Sequence, residues 1–364
     1  MKIIQFYDSF NEKGGVERVI SLLLNHWCTQ HETSLLIRQG TVSSVYPLHQ
    51  RVQRLTFGHA LGSGRLKRLA TYAKDVFAIR THAAITSADI LIANGPWCGL
   101  LAILALKLPG LRQAKPKVFV CDHNSPSAFG RLTQLASRVL YRYADGIISL
   151  TQDQSKHYQA FAKHIHLIPN PIAPAEPAET PPHQNASQAL AVGRLTRQKG
   201  FDLLLQAWQL VVAQAPDACL NIIGEGPEQT ALQQQIQSLK LAHRVKLLPF
   251  TNHISQAYYS ASFLVLSSRY EGLGLVILEA QAHGLPVVSF DCNFGPREII
   301  SHEENGLLCP PESPEALAQA ILRVLNQPGF RAQLAEGALR SSKQYAIESV
   351  GRAWEDLFQQ HRLD

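Results

Sequence analysis

Two glutamates, Glu271 and Glu279, stand eight positions apart in EGLGLVILEAQAHGLPVVSF, residues 271–290. Between them, Gly272 and Gly274 let the backbone turn tightly before an apolar run that reads as a helix from Leu275. The first turn of such a helix holds unpaired N–H groups at its positive end, which is a seat for a phosphate. By helical rise the two carboxylates are roughly 12 Å apart, too far to share one small site as an acid–base pair. They suit a long polar ligand with hydroxyls at both ends and a diphosphate between, the build of a nucleotide-sugar. The same letters also fit a buried helix with glutamates on its wet edge, so the rest of the chain has to decide.

A second cluster lies upstream. ALAVGRLTRQKGFDLLLQAW reads as a strand from Ala189, a turn at Gly193 and a helix from about Gly200, with Arg194 and Lys199 in the turn. Two cations at that spacing answer two adjacent phosphates. LNIIGEGPEQTALQQQI repeats the layout, with Gly224 and Gly226 opening a helix. Near the start, KIIQF is a strand, and Gly14 and Gly15 open the helix VERVISLLLNHW. His123, followed by Asn124, Ser125 and Pro126, ends the strand KVFVCDHN. Ligands of open α/β sheets gather outside the carboxyl ends of strands, so His123 is placed against substrate.

The elements that position these residues are strand–turn–helix units in series. Further strands are read at TSLLIRQ, ADILIANGP, ADGIISLT, VKLLPF and FLVLSSR, and a basic amphipathic helix between His59 and Ile85. HIHLIPNPIAPAEPAETPPHQNAS breaks the pattern with clustered prolines and no periodicity, as a linker does. The expected division is 1–168, a linker at 169–186, a second domain at 187–345, and a last helix from 346 that crosses back onto the first domain. A chain of 364 residues suits two such domains.

Composition excludes several classes. The longest apolar run, CGLLAILALKLPG, is too short to span a membrane, and MKIIQFYDSF is no signal peptide. Six scattered cysteines without a C-x-x-C pair fit a reducing cytoplasm and no structural zinc. Residues 1–170 hold 20 Lys+Arg and 9 Asp+Glu, a charge of +11, whereas the remainder holds 14 and 19, a charge of −5. Such asymmetry points to an anionic partner of the first half. No nucleic-acid module or dense basic run is present, so an anionic membrane is expected, contacted through Arg65, Lys67, Arg68, Lys74 and Arg80. The G-x-G-x-x-G of a nicotinamide enzyme and the G-x-x-x-x-G-K-[ST] of an NTPase are both missing. No two aspartates lie two positions apart, which leaves no D-x-D metal site.

Taken in order, the motifs resemble one family. GG-x-E-R from Gly14 and V-G-R-L-x-x-x-K-G-F-D-x-L-L from Val192 are followed by G-E-G-P from Gly224. E-G-x-G-x-x-x-x-E from Glu271 then precedes A-x-G-x-P-V-V. The set is similar to the retaining glycosyltransferases of family 4, glycosyl transferases group 1. The resemblance implies the α/β GT-B fold, two facing Rossmann-like domains with parallel sheets and a cleft between them, the acceptor on the first and the donor on the second. It implies donor binding by Gly15, Gly193, Arg194, Lys199, Gly224, Glu271, Gly272, Gly274, Leu275 and Glu279, with His123, Arg194, Lys199 and Glu271 at the reacting centre. Glu271 is assigned to the sugar hydroxyls and Glu279 to the ribose, with no metal or other cofactor. GPREI at 295–299 resembles a variant found with UDP-linked hexoses or N-acetylhexosamines. The expected reaction is retaining transfer of such a sugar to a glycan acceptor, lipid-linked or of a surface polysaccharide such as lipopolysaccharide. It would take place in the cytoplasm at the inner face of the membrane. A UDP-sugar epimerase of the same fold, or a nucleotide-sugar-binding protein without activity, stays open on the residues alone.

Overall fold

The computed structural model describes residues 1–11, 14–40, 46–58, 64–108, 115–176, 187–251 and 253–361. They form two compact units, Met1–Pro171 with the chain from Ile347 onward, and Ile172–Ala346. Residues 59–63 and 177–186, which fall within the expected basic helix and the expected linker, lie outside the described residues.

The first unit holds strands β1 (Lys2–Tyr7), β2 (Glu32–Ile37), β3 (Gln53–Thr56), β4 (Ile90–Asn94), β5 (Lys117–Cys121), β6 (Gly146–Ser149) and β7 (Ile165–Leu167). They form a parallel sheet in the order β3-β2-β1-β4-β5-β6-β7. The central strands are buried on both faces, which is why their apolar residues run on without alternation. The chain moves one way from β1 to β3 and the other way from β4 to β7, so its direction reverses between β1 and β4. At such a switch point the loops part and leave a crevice at the carboxyl edge.

The second unit repeats this with β8 (Gln188–Val192), β9 (Cys219–Ile223), β10 (Val245–Leu248), β11 (Phe263–Leu266), β12 (Val287–Phe290) and β13 (Gly306–Cys309). Its order is β10-β9-β8-β11-β12-β13, again parallel, with the reversal between β8 and β11. The helix Phe201–Gln214 drives Phe201, Leu204, Leu205, Trp208 and Val211 into the core at helical spacing. Each such side chain, fully buried, contributes about 1.5–3 kcal/mol. Together the two units of parallel strands and crossover helices make up the GT-B fold.

The final helix, Ile347–Gln360, packs in the first unit, where its apolar stripe meets the helix Gly15–Trp27. The Trp27 ring lies edge-on to Trp354 at 5.4 Å and to Phe358 at 5.1 Å, and His31 Nε2 meets Glu355 at 3.0 Å. The first unit also reaches past the expected boundary at 168. Ile168 N–H still donates to Ser149 and Asn170 is buried, so 169–171 belong to this unit and not to a linker. Ile172 then donates to Tyr345, inside the second unit. The basic segment forms one helix, Arg65–Thr81, that breaks at His82 before a short second helix, Ala83–Ser87. A helix absent from the sequence reading, Arg131–Leu140, links β5 to β6. Among the described residues no helix is long and apolar enough to cross a membrane.

Candidate functional site

The loops after β8 and β11 flank the reversal in the second unit, and the predicted residues concentrate there. Lys199 lies in the turn Arg197–Lys199 that follows β8, and Glu271 in the loop that follows β11. The structure joins them: Lys199 Nζ is 2.7 Å from Glu271 Oε1. Ser268 Oγ donates to the same oxygen at 2.6 Å, and Glu271 is only 5% exposed. Both polar partners therefore gather on Oε1 of a buried carboxylate.

A set of straps explains why the two loops hold together. Arg269 N–H donates to Gln198 O at 2.8 Å, Gln198 Nε2 to Tyr270 O at 3.1 Å, and Ser267 Oγ to Lys199 O at 2.9 Å. Arg269 clasps Asp202 with two guanidinium nitrogens, at 2.8 and 2.7 Å, and donates to Arg197 O. That fork holds the Asp202 carboxyl below its usual range and the Arg269 guanidinium above its own. Arg269 is thus a fastening between loop and helix rather than a ligand contact. Gly200 makes the approach possible: its φ is +62°, and a Cβ there would stand 2.0 Å from Ser267 O.

Gly193 and Gly224 sit where the loops after β8 and β9 cross. A Cβ on Gly224 would stand 1.9 Å from Gly193 O, so only glycine permits this contact. Leu195 N–H donates to Glu225 O and Glu228 N–H to Leu195 O, which fixes the second loop under the first. The aliphatic stem of Lys199 lies over Gly193. Arg194 is exposed on the same loop. Gly272 and Gly274 are buried in the turn that leads into the helix Leu275–Ala282, whose first turn has no side-chain cap. Glu279, about one turn along, accepts from the buried Tyr258 hydroxyl at 2.9 Å. Its partner Tyr258 was not foreseen, since no spacing ties residue 258 to residue 279.

His123 and Gly15 stand on the first unit, at the carboxyl edge of its sheet. Gly15 is exposed at the start of the helix Gly15–Trp27, and the carboxylate of Glu17 folds back over Gly14. His123 follows β5 and is partly buried. Its Nε2 lies 2.9 Å from Asn94 Oδ1 at the end of β4. Asn94 Nδ2 in turn donates to Gln5 Oε1 at 2.6 Å and to the carbonyls of Phe6 and Ile92 at 3.3 Å. Those carbonyls fix which end of the amide is oxygen, so His123 must carry its proton on Nε2 and its lone pair on Nδ1. Burial, opposed in part by contact with Asn170, pushes the imidazole down to about 4, so at neutral pH it is uncharged. The chain Gln5–Asn94–His123 spans β1, β4 and β5, across the switch point of this sheet. Neither Gln5 nor Asn94 was picked out from the sequence, although a glutamine within KIIQF and an asparagine ending an apolar strand are both visible there.

Beside His123, Asp122 is buried and accepts from the hydroxyls of Tyr141, at 2.9 Å, and Tyr158, at 2.8 Å. Burial raises its carboxyl to about 6 in spite of both donors. Among the described residues no three His, Cys, Asp or Glu side chains gather in a way that could hold a metal ion.

Residues 174–341 match the family Glycosyl transferases group 1, and residues 13–176 match Glycosyltransferase Family 4. The amylovoran biosynthesis glycosyltransferase AmsD of Erwinia amylovora is 28% identical, covering 98% of this chain and 99% of its own. An α-1,4-N-acetyl-D-galactosaminyltransferase of Campylobacter jejuni is 24% identical over 97% of each chain, and its name specifies a GalNAc- and diNAcBac-containing glycan on PP-undecaprenol. Among solved structures, Anabaena HepE, in complex with UDP and glucose, superposes with a TM-score of 0.79 at 21% identity over 99% of both chains.

Proposed function

Since the chain belongs to the group 1, family 4-like glycosyltransferases of GT-B fold, we propose that it moves a hexose or N-acetylhexosamine from a UDP-sugar to a lipid-linked or surface-polysaccharide glycan. The observation that carries this reading is the Lys199–Glu271–Ser268 cluster between the two loops of the switch point. Lys199 and Arg194 receive the diphosphate, aided by the uncapped helix that opens at Leu275. Glu271, with Oε1 taken by Lys199 and Ser268, offers Oε2 to a sugar hydroxyl, and Glu279 meets the ribose. His123 presents its Nδ1 lone pair to a hydroxyl of the transferred sugar.

Retention follows if the acceptor attacks from the side on which UDP departs. The acceptor oxygen bonds to the anomeric carbon as the bond to the β-phosphate oxygen breaks, and the acceptor proton passes to that departing oxygen. The two cations and the helix N-terminus then stabilise the leaving diphosphate, without a protein nucleophile. The acceptor's lipid would hold the enzyme's work at the inner face of the cytoplasmic membrane. The basic helix Arg65–Thr81, with Leu69 63% and Phe77 69% exposed among Lys67, Arg68 and Lys74, supports that placement.

The test is transfer from UDP-glucose, UDP-galactose, UDP-GlcNAc and UDP-GalNAc to a polyprenyl-diphosphate-linked glycan, with the product anomer read by NMR. One donor should give an α-linked product, only with acceptor present, and Lys199→Ala should lower turnover about 100-fold or more. Equal donor conversion without acceptor would establish an epimerase or hydrolase instead.

A further inference from the structure

The helix Arg131–Leu140 has apolar residues on both sides. Thr133 and Ser137 are buried and Ala136 and Leu140 pack against the core, while Leu132, Leu135 and Val139 are 84%, 59% and 49% exposed. Positions 132, 135 and 139 form one stripe along a helix. Arg131, Arg138 and Arg142, all exposed, form the adjacent row, the last of them in the turn Tyr141–Tyr143. No acidic residue occurs between Asp122 and Asp145.

This helix and Arg65–Thr81 pack on either side of Pro96–Leu106, so they belong to one helical layer of the first unit. In Arg65–Thr81 the sole acid, Asp75, is buried against Arg38, which leaves only cations among the exposed charges beside Leu69 and Phe77. Trp97, stacked on Tyr72 with ring centroids 5.3 Å apart, adds an exposed aromatic from the helix between them.

From this pattern we infer that the exposed apolar stripe of Arg131–Leu140 seats on an anionic lipid bilayer, the leucines entering the acyl boundary and the arginine row lying at the headgroups. The charge selects the occupant. A second copy of the same face would set Arg131, Arg138 and Arg142 against their own counterparts, whereas a planar anionic surface meets the whole row at once while arginine stems follow the apolar edge. The inference rests on the reading that the acceptor is membrane-borne, and it names the point of contact. It moves the main contact from Arg65–Thr81 to a helix with a deeper apolar stripe, leaving Arg65–Thr81 as a flanking contact.

The experiment is co-sedimentation with phosphatidylglycerol–phosphatidylcholine vesicles and with phosphatidylcholine alone, using the full chain. Wild type should pellet with the anionic vesicles at low salt, be released by high salt, and ignore the neutral ones. Arg131→Glu/Arg138→Glu/Arg142→Glu should bind at least tenfold more weakly, given about fivefold per basic residue near such a surface. Leu132→Gln/Leu135→Gln, which alters only exposed positions, should also lose binding while keeping its circular dichroism and its turnover of a short-chain soluble acceptor. If wild type fails to bind, the membrane reading falls with the inference. If wild type binds and both variants bind equally well, the inference alone falls. Concentration-dependent dimerisation of wild type that Leu132→Gln/Leu135→Gln abolishes would assign the stripe to a second copy and overturn it.

Discussion

Asp122 and His123 are neighbours in sequence with opposite displacements, and the consequence is a hidden pH dependence. Burial raises the Asp122 carboxyl from 3.8 to about 6 and lowers the His123 imidazole from 6.5 to about 4. A carboxyl whose folded value is raised adds stability below its unfolded value, and that stability is lost as pH rises through about 6. An imidazole whose folded value is depressed adds stability above 6.5, lost as pH falls through about 4. Between pH 4 and 6 the folded chain holds one proton on Asp122 and none on His123, whereas the unfolded chain holds one on His123 and none on Asp122. The proton counts match, so the pair contributes almost no slope to stability in that window.

Substituting either residue alone should expose the other's slope. Each displacement is roughly two pH units or slightly more, at about 1.4 kcal/mol per unit, hence about 3 kcal/mol. Asp122→Asn should lose about 3 kcal/mol of stability relative to wild type on going from pH 6.5 to pH 4, because only His123 then takes up a proton on unfolding. His123→Gln should gain about the same over pH 6 to pH 4, because only Asp122 then releases one. Urea unfolding followed by tryptophan fluorescence reads this, since Trp27, Trp97 and Trp354 belong to the unit that holds both groups and only Trp208 does not. If wild type and both variants share one pH dependence between 4 and 6.5, the groups are not displaced and the uncharged, lone-pair-bearing His123 of the mechanism loses its basis.

Three further outcomes follow from the second unit. Glu279→Gln should weaken UDP binding by calorimetry while Glu271→Gln leaves it nearly unchanged and damages turnover; equal losses of UDP affinity would refute the assignment of ribose and sugar. Lys199→Met leaves Glu271 buried without its cation and should cost about 3 kcal/mol in urea unfolding, whereas Lys199→Met/Glu271→Gln should recover most of that stability and none of the turnover. Gly200→Ala, forced to φ +62° with a Cβ 2.0 Å from Ser267 O, should cost at least about 2 kcal/mol and slow transfer by parting the two loops; wild-type melting in this variant would contradict the strap.

The alternation of apolar strand, glycine turn and amphipathic helix made the two-sheet fold legible, and at some of those turns the glycine marks a contact that geometry forbids to other residues. Gly224 against Gly193 O is one such place: the letters G-E-G-P put Gly224 in a turn that opens a helix, whereas its contact with Gly193 depends on the loops after β8 and β9 crossing. The family resemblance placed Lys199 and Glu271 in one site. Their direct ion pair was not legible, since 72 positions separate them and it depends on β8 and β11 being neighbours. β3 and β7 escaped notice for a simpler reason: QRLT and IHL are too short to show a period.

The helix Arg131–Leu140 escaped for a different reason. Apolar periodicity tells that a helix has two faces, and the usual rule then turns the apolar one inward. Here a residue just beyond the helix sets the rotation. Tyr141 is almost fully buried, its hydroxyl donates to the buried Asp122, and Thr133, Ser137 and Tyr141 fall at i, i+4 and i+8 on one face. Anchoring Tyr141 therefore turns Thr133 and Ser137 inward and leaves Leu132, Leu135 and Val139 to the outside. The same carboxylate takes Tyr158 from the helix Gln152–Gln159 that follows β6, so the anchor is tied from two sides. Were the stripe free to turn inward, burying three apolar side chains at about 1.5–3 kcal/mol each would favour it. The polar anchor at Asp122 holds it outward, the orientation that the inferred bilayer contact needs.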